Sequence, residues 1–344
     1  MGASLVVVTT AAAAATALAE LLASRHGLTP RLLTPTTLLT EDRDDVARAC
    51  EAFGDVRVHR SAPAWPLAST LLKSAAPMLI APGITIGGPA LLMVAGPCAV
   101  ENSTQLKTVG DAVVAAGAHA IRGGAFKPRT SPYSFQGLGR EGLALLAAYK
   151  ARTGTPIVTE VLDTREVAAV AEVADVLQVG ARNMHNTALL RAVGDTRRPV
   201  LLKRGFGATV DELLHSAEYI LAAGNERVIL CERGIRTLES CTRFTLDVGG
   251  IAWLKQRTHL PIVVDPSHAA GRHDLVLPLA LAGVVAGADG LLVEVHDDPS
   301  LARSDGEQAL TLAQFSALMT ALVPVAAAVG RVVHQPAGVD GGRR

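Results

Sequence analysis

The sequence predicts an α/β protein: a (β/α)8 barrel of the TIM type, preceded by a small N-terminal α+β domain of ferredoxin-like type. From residue 91 onward, eight short apolar runs alternate with segments whose apolar residues recur at helical spacing. The runs are continuous rather than alternating, which is typical of parallel strands covered on both faces. An open doubly wound sheet is the alternative, but it usually carries a glycine-rich dinucleotide fingerprint after its first strand, and this chain has none.

Each element of the barrel can be placed on the sequence. The predicted strands are residues 91–95, 119–122, 156–160, 176–179, 200–203, 227–231, 261–265 and 290–294. Helical spacing of apolar side chains is found in residues 210–221, 241–255 and 275–285. Eight β-α units complete a barrel, in which the carboxyl ends of all the strands share one mouth.

The residues before the barrel follow a different pattern. The predicted strands there are residues 5–9, 31–33 and 56–59, and the predicted helices are residues 11–24 and 42–53. A further strand near residues 36–39 is expected to be missing or shortened. The predicted organisation is an N-terminal domain over 1–69, a linker and barrel-floor hairpin over 70–90, the barrel over 91–330 and a disordered tail over 331–344.

Composition excludes several classes of protein. Lys and Arg number 32, as do Asp and Glu, so a chain with zero net charge is not expected to coat nucleic acid or an anionic membrane. The four cysteines form no CxxC pair, which favours a reducing cytoplasm. The alanine-rich stretch 11–23 has no Lys or Arg before Arg25, unlike a signal peptide, and no run is long enough to span a bilayer.

The loop after the second predicted strand concentrates positive charge. Arg122, Lys127 and Arg129 lie within eight positions, beside the flexible pair Gly123 and Gly124. Lysine offers a point charge and arginine a planar two-pronged donor, which suits phosphorylated anions. A solvated basic loop is the alternative, but cations recur at the ends of later strands.

The carboxyl ends of all eight predicted strands form one predicted mouth. The polar residues at or just past them are Cys98, Arg122, Lys127, Glu160, Arg182, Lys203, Arg204, Arg233, Asp265, His268, Glu294 and His296. In the barrel core such side chains would be buried charges without compensation, so they are expected at the mouth. A neutral protein with five or six cations at one mouth is predicted to bind several phosphate or carboxylate groups there.

The remaining mouth residues have the character of metal ligands. Cys98, His268, Glu294 and Asp305 offer one thiolate, one imidazole and two carboxylates. This set suits Mn²⁺, Fe²⁺, Co²⁺ or Zn²⁺ better than Ca²⁺ or Mg²⁺, which prefer oxygen ligands. Singly, Cys98 could be a small core residue, His268 a helix cap and Glu294 an ion-pair partner; their joint placement favours a metal site.

The ordered motifs resemble those of a known enzyme family. They are AGPCAVE at 95–101, KPRTSPY at 127–133, GARNM at 180–184, KRG at 203–205, CERGIR at 231–236, DPSH at 265–268, EVH at 294–296 and SDG at 304–306. Over about residues 92–310 the chain resembles 3-deoxy-D-arabino-heptulosonate 7-phosphate (DAHP) synthase, in particular its type Iβ branch with an N-terminal ferredoxin-like domain. The resemblance implies a transferase that condenses phosphoenolpyruvate (PEP) with erythrose 4-phosphate and releases phosphate, the first step of the shikimate pathway.

The resemblance also implies a role for each site residue. PEP would be held by Arg122, Lys127, Ala181, Arg182, Lys203 and Arg233. Erythrose 4-phosphate would be held by Arg129 and Thr130. The metal would be held by Cys98, His268, Glu294 and Asp305, and Mn²⁺ is expected first, with Fe²⁺, Co²⁺ or Zn²⁺ as alternatives. The candidates for acid, base or other catalytic roles are Lys127, Glu160, Lys203 and Asp265.

Some residues depart from the family pattern, and some expectations rest on the family resemblance alone. Positions 99, 185, 206, 244 and 297 carry Ala, His, Phe, Phe and Asp where Ser, Gln, Met, Asn and Pro are expected. None of these changes removes a ligand or a phosphate-binding cation. A cytoplasmic homotetramer or homodimer is expected, and the predicted gap near residues 36–39 suggests that inhibition by aromatic amino acids is weakened or absent.

Three alternatives stay open at the sequence level. The sister enzyme, 3-deoxy-D-manno-octulosonate 8-phosphate synthase, uses arabinose 5-phosphate and typically reads Lys-Ala-Asn-Arg-Ser where residues 127–131 read Lys-Pro-Arg-Thr-Ser. A secondary-metabolism variant with an altered sugar phosphate is the second. A catalytically silent barrel is the third, although the intact metal and phosphate motifs argue against it.

Overall fold

The computed structural model describes residues 4–129 and 131–334. The chain forms two compact units, and the first of them ends at Ser74. This boundary lies five residues after residue 69, at which the sequence predicts the end of the first domain. Within the described residues, no helix has the length and apolar character needed to cross a membrane.

The first unit is built from four strands and two helices. In chain order these are β1 (Ser4–Thr9), α1 (Ala12–His26), β2 (Arg31–Thr34), β3 (Thr37–Glu41), α2 (Asp44–Phe53) and β4 (Val56–Ala62). The strands form an antiparallel sheet in the order β2-β3-β1-β4, which is the ferredoxin-like arrangement. The apolar faces of both helices cover the sheet around Leu5, Leu18 and Leu38.

Strand β3 corrects the expectation of a missing or shortened strand near residues 36–39. Its five residues pair with β1 in a continuous register, with Val7 opposite Leu38. Three of its five residues are Thr or Glu, so the sequence of the segment is too polar to resemble a buried strand. The strand is stabilised instead by its pairing with β1 and by the complete burial of Leu38. The reason for expecting weakened feedback inhibition is therefore removed.

The second unit contains a closed barrel of eight parallel strands, which confirms the predicted fold class. The strands are β7 (Leu92–Gly96), β8 (Ala120–Arg122), β9 (Ile157–Glu160), β10 (Val176–Val179), β11 (Val200–Lys203), β12 (Val228–Glu232), β13 (Ile262–Val264) and β14 (Gly290–Glu294). The surrounding helices are α3 (Ser103–Ala115), α4 (Arg140–Thr153), α5 (Val167–Val173), α6 (Thr187–Asp195), α7 (Val210–Ala222), α8 (Val248–Arg257), α9 (Pro266–Ala270), α10 (Val276–Val285) and α11 (Leu312–Ala328). Strand β14 pairs with β7 and closes the barrel.

An antiparallel hairpin precedes the barrel. It consists of β5 (Met78–Ala81) and β6 (Ile84–Ile86). Ile80 and Ile86 belong to the same apolar cluster as Val94 and Val158, which come from the strands. The hairpin therefore extends the barrel core, and the polar mouth lies at the carboxyl ends of the strands.

Helix α8 begins at Val248, seven residues later than the helix predicted from residue 241. Asp247 caps it by accepting a hydrogen bond from the backbone N–H of Gly250. The residues before it are held in a loop, because Thr245 pairs with Ile235 and the Phe244 N–H donates to the Ala269 carbonyl oxygen at 2.9 Å. These long-range backbone bonds override the helical spacing of the side chains.

The predicted disordered tail does not begin at residue 331. Val332 pairs with Ala90, and the Arg331 guanidinium donates to the Gly88 carbonyl at 2.6 Å and to Asp289 at 2.8 Å. Asp289 is completely buried, so this ion pair fixes Arg331 against the barrel. Residues 335–344 lie outside the described residues.

Gly96, the last residue of β7, should not tolerate a side chain. Its φ is +153°, and a Cβ there would overlap the backbone of Arg122 on the neighbouring strand. We expect Gly96→Ala to lower the free energy of unfolding of the barrel by about 3 kcal/mol or more, as measured by denaturant titration. Gly207→Ala is the matched control, since a Cβ at Gly207 meets nothing within 4 Å and should leave stability unchanged.

Candidate metal and anion site

The carboxyl ends of the barrel strands surround a polar pocket. Its lining residues are Arg122, Lys127, Pro128, Arg129, Glu160, Gln178, Gly180, Ala181, Arg182, Lys203, Phe206, Arg233, Arg243, His268 and Asp305. Every predicted substrate-binding residue that the structure describes is in this set, whereas Thr130 lies outside the described residues. The barrel therefore brings together side chains that are far apart in the chain, as their positions at strand ends predict.

Four side chains with the character of metal ligands cluster beside the pocket. Cys98 follows β7, His268 lies on α9, Glu294 ends β14 and Asp305 lies in the loop after β14. One ligand atom from each, namely a sulfur, an imidazole nitrogen and two carboxylate oxygens, lies within 4.8 Å of all the others. This donor set fits a divalent transition metal, because soft sulfur and nitrogen ligands accompany the two oxygens.

Asp265 orients the imidazole of this cluster. The carboxylate is completely buried, and its Oδ2 lies 2.7 Å from His268 Nδ1 while also contacting Lys203 Nζ. Its Oδ1 accepts the backbone N–H of His268 at 2.9 Å, which caps α9. Burial alone would raise the pKa of Asp265, but His268 and Lys203 hold it well below its usual range. The other ring nitrogen of His268, Nε2, lies 3.5 Å from Glu294 Oε1 and can serve as the ligand atom.

Asp305 is presented by a strained turn. Its φ is +52°, and a side chain on the next residue, Gly306, would collide with the Pro299 carbonyl. The Asp305 carboxylate lies 3.1 Å from Arg243 and 3.6 Å from Arg129. Burial would raise its pKa, yet His268 and the other neighbouring donors and cations lower it far below the usual range. Asp305 is thus held as an anion, as a ligand must be.

Cys98 is the member of the cluster whose side chain contacts both Asp305 and the cation Lys127. It donates to Asp305 Oδ2 at 3.0 Å, and Lys127 Nζ lies 2.9 Å from the sulfur and 3.0 Å from the Cys98 carbonyl oxygen. Burial raises the pKa of this thiol to about 12, and the charge of Glu294 adds to the rise. A coordinated divalent metal deprotonates such a thiol outright, because its charge outweighs the local electrostatics.

Two buried guanidinium groups present N–H donors that nothing in the described protein accepts. Arg122 is bound through Nη1 to Glu294 at 2.8 Å and to the Pro97 carbonyl at 2.7 Å, but its Nε has no partner. Nη1 of Arg233 is likewise buried without a partner. An unsatisfied buried donor costs free energy, so these two N–H groups would be stabilised by an acceptor from a bound anion.

Five residues predicted at the mouth do not line the pocket. Cys98, Asp265 and Glu294 belong to the candidate metal cluster or contact it, whereas Arg204 and His296 have other partners. Arg204 is buried, and its Nη1 donates to Glu232 at 2.7 Å and to Asp247 at 2.8 Å. His296 lies 3.1 Å from Asp297 and 3.6 Å from Glu101. Both side chains follow a strand end. Carboxylates outside the pocket neutralise Arg204, and Nδ1 of His296 accepts the backbone N–H of Asp298 at 3.0 Å, which spacing along the sequence could not reveal.

Conversely, the pocket contains polar residues that the sequence argument missed. Arg243 donates to Asp305 Oδ1 at 3.1 Å and to Gln308 at 3.0 Å, and Gln308 donates to Glu294 Oε2 at 2.5 Å. Arg243 was hidden within a predicted helix. Gln178 lines the pocket from β10, and a Gln in an otherwise apolar strand was a usable signal.

The fold and the site together define a class of protein: a (β/α)8 barrel with a candidate transition-metal cluster beside a cationic pocket. Residues 69–329 match the family model described as the DAHP synthetase I family. The match covers well over half of the chain, and the chain therefore belongs to the DAHP synthetase I family.

Individual relatives agree with this assignment. A Thermotoga maritima protein called phospho-2-dehydro-3-deoxyheptonate aldolase is 47% identical over 73% of this chain and 74% of its own length. A Koribacter versatilis 2-dehydro-3-deoxyphosphooctonate aldolase is 31% identical over 72% of this chain and 95% of its own length. The crystal structure of the Thermotoga maritima DAHP synthase superposes with a TM-score of 0.79 at 39% identity, covering 97% of this chain and 100% of that one. A truncated form of the Thermotoga maritima enzyme gives a TM-score of 0.73 at 40% identity over 78% of this chain and 99% of that one.

Proposed function

We propose that the protein is a 3-deoxy-7-phosphoheptulonate synthase, an enzyme that condenses PEP with erythrose 4-phosphate to give DAHP and phosphate at the start of the shikimate pathway. The observation that carries the proposal is the juxtaposition of the four-residue cluster with buried cations whose N–H groups lack acceptors. The greater identity to a relative named for the heptonate product than to one named for the octonate product supports the same choice.

We assign the pocket to the two substrates in separate parts. PEP carries a phosphate and a carboxylate, and we assign it to Arg122, Lys127, Ala181, Arg182, Lys203 and Arg233. Erythrose 4-phosphate is assigned to Arg129 and Thr130. Arg129 lies 3.6 Å from Asp305, which would place the aldehyde substrate on the side of the metal cluster.

Cys98, His268, Glu294 and Asp305 would hold the metal, with Mn²⁺ as the first candidate and Fe²⁺, Co²⁺ or Zn²⁺ as alternatives. When bound, a divalent ion supplies Lewis acidity that polarises the aldehyde oxygen of the sugar phosphate. The protein's own contribution is to hold the imidazole of His268 through Asp265 and to hold Asp305 ionised in its turn.

The cations would position two anionic substrates that repel each other. In the reaction, the enol carbon of PEP attacks the aldehyde carbon, water adds to C2 of PEP, and the resulting hemiketal phosphate expels inorganic phosphate. Fixed positive charges screen the substrates and hold the reacting carbons at bonding distance, which is a large part of such a rate enhancement. Glu160 and Lys203 are the candidates for taking the proton of the water. Asp265, in contact with Lys203, is the candidate on the aldehyde side, and Lys127 lies nearest the thiol.

Turnover by purified protein tests the proposal. The protein is stripped with a chelator, resupplied with Mn²⁺, Co²⁺, Zn²⁺ or Fe²⁺, and assayed for PEP loss and phosphate release with erythrose 4-phosphate or arabinose 5-phosphate. We expect metal-dependent turnover with the four-carbon sugar and little with the five-carbon sugar. Preference for arabinose 5-phosphate would transfer the assignment to the octulosonate reaction, and inactivity with both sugars would leave an altered aldehyde or a silent barrel.

We further propose that the enzyme acts in the cytoplasm as a homotetramer or homodimer. Both the cytoplasmic location and the oligomeric state come from the family resemblance. The location is also supported by the four cysteines, which form no CxxC pair. Light scattering coupled to gel filtration measures the oligomeric state directly, and a monomeric mass at micromolar concentration would contradict it.

A further inference from the structure

Two stacked phenylalanine rings lie beside the cationic pocket, and one of them, Phe206, lines it. Phe206 follows β11 and Phe244 lies in the loop before α8, and the rings stack with their centroids 5.2 Å apart and their planes 9° from parallel. Arg233 lies over both rings: its Cζ is 4.1 Å from the centroid of Phe244 and 5.0 Å from that of Phe206. The guanidinium thus meets aromatic faces at the short end of the cation–π range.

Arg233 differs in this respect from Arg204, the buried arginine after the preceding strand. Arg204 is neutralised by Glu232 and Asp247, whereas the structure gives Arg233 no ion-pair partner among the described residues. Nη1 of Arg233 is also buried without a hydrogen-bond acceptor. The direct contacts of this charge are therefore with groups other than a carboxylate.

The two rings are themselves fixed by backbone bonds close to Arg233. The carbonyl oxygen of Phe206 accepts the N–H of Arg236 at 2.6 Å, and the N–H of Phe244 donates to Ala269 at 2.9 Å. Gly234, directly after Arg233, has φ of +85°, and a Cβ there would lie 2.7 Å from the Cβ of Phe244. The missing side chain at Gly234 allows the ring to approach the guanidinium.

We propose that Phe206 and Phe244 are positioning residues that hold the Arg233 guanidinium by its face, in place of a carboxylate, so that its N–H groups stay available to an anionic substrate. A carboxylate would neutralise the charge and occupy those donors, whereas an aromatic face attracts the cation without accepting its N–H bonds. The assignment of that anion to PEP rests on the proposed function.

Further guanidinium groups strengthen the case for this aromatic pair. Arg182 and Arg236 lie 5.2 and 5.5 Å from the centroid of Phe206, and Arg243 lies 5.8 Å from that of Phe244. The two rings therefore lie close to four guanidinium groups, three of which line the pocket. The family resemblance predicted Met and Asn at positions 206 and 244, so the pair distinguishes this chain from that pattern.

A fluorination series at Phe244 tests the electrostatic role, since fluorine weakens the negative face of the ring while nearly keeping its size. Phenylalanines with one, two and three fluorines are incorporated at Phe244, and PEP binding is measured by calorimetry on the metal-loaded full-length protein. We expect the dissociation constant for PEP to rise stepwise, by about threefold to tenfold in total. The melting temperature and the KM for erythrose 4-phosphate should not change.

The same series at Phe315 is the control, because that ring is buried on α11 and no guanidinium lies over it among the described residues. A PEP affinity that stays constant along the Phe244 series, in protein that binds PEP and turns it over, overturns the positioning role alone. Unaltered protein that does not bind PEP overturns the proposed function and this inference together. Phe244→Leu adds a check, since loss of affinity there but not on fluorination would assign the ring to packing.

Discussion

Replacing Cys98 with alanine is expected to lower metal-dependent turnover by on the order of a thousandfold, and to lower the content of bound metal with it. The thiol is one of four candidate ligand atoms in the cluster, and it is the only sulfur among them. Lewis-acid assistance of this kind contributes several kcal/mol to a barrier, which corresponds to about that factor in rate. The measurement is turnover at saturating substrate together with elemental analysis of metal bound per chain.

Cys241→Ser is the matched control for the loss of a thiol. Cys241 is exposed and lies outside the cluster, so its replacement should leave both metal content and turnover unchanged. Full metal content and full turnover in Cys98→Ala would refute the ligand set. Loss of turnover with retained metal would instead place Cys98 in catalysis without making it a ligand.

The candidate metal ligands could be predicted from the sequence because the closed barrel brings residues that are distant in the chain close together in space. Cys98, His268 and Glu294 each lie at or just past the end of a strand, and parallel strands in a closed barrel deliver those ends to one mouth. The order of the strands, and hence the convergence of these side chains, follows once eight β-α units are recognised. Asp305, in the loop after the last strand, was found through its chemistry as a carboxylate beside the same mouth.

Other features depend on contacts that have no signature along the chain. Strand β3 is stabilised by pairing with β1 rather than by its own polar sequence, and the start of α8 is set by backbone bonds from Phe244 and Thr245. Arg243 reaches the pocket only because those bonds replace the predicted helix with a loop. The spacing of apolar residues indicates which face of an element is apolar. It does not indicate which distant residues form hydrogen bonds with the backbone of that element.

The clearest case is the division of the mouth cations by function. Arg204 and Arg233 both directly follow a strand, and both side chains are buried, so the sequence treats them alike. Glu232 and Asp247 neutralise Arg204, whereas aromatic faces surround Arg233. A neutral chain concentrates charge at a binding site by leaving some cations unpaired while neutralising their neighbours, and only the three-dimensional arrangement of carboxylates decides which are which.

A pair of substitutions should separate these two roles. Arg204→Met leaves Glu232, which is completely buried, without its cation, and we expect the free energy of unfolding of the barrel to fall by about 3–5 kcal/mol. In Arg233→Met, by contrast, no paired carboxylate is left behind among the described residues. Burial lowers the pKa of Arg233 to about 10, so the folded protein holds this charge unfavourably at neutral pH, and stability should stay the same or rise.

Binding should show the opposite ranking. Arg233→Met removes charge-assisted hydrogen bonds to the anion, and we expect the dissociation constant for PEP to rise about 100-fold, while Arg204→Met that remains folded should bind PEP nearly as the unaltered protein does. Denaturant titration and calorimetry on the same preparations give both quantities. Two outcomes would show that the division between structural and substrate-binding cations is wrong. One is that Arg204→Met lowers the affinity for PEP without lowering the free energy of unfolding, and the other is that Arg233→Met does the reverse. The test is sharp because the two buried arginines differ mainly in the groups that surround them.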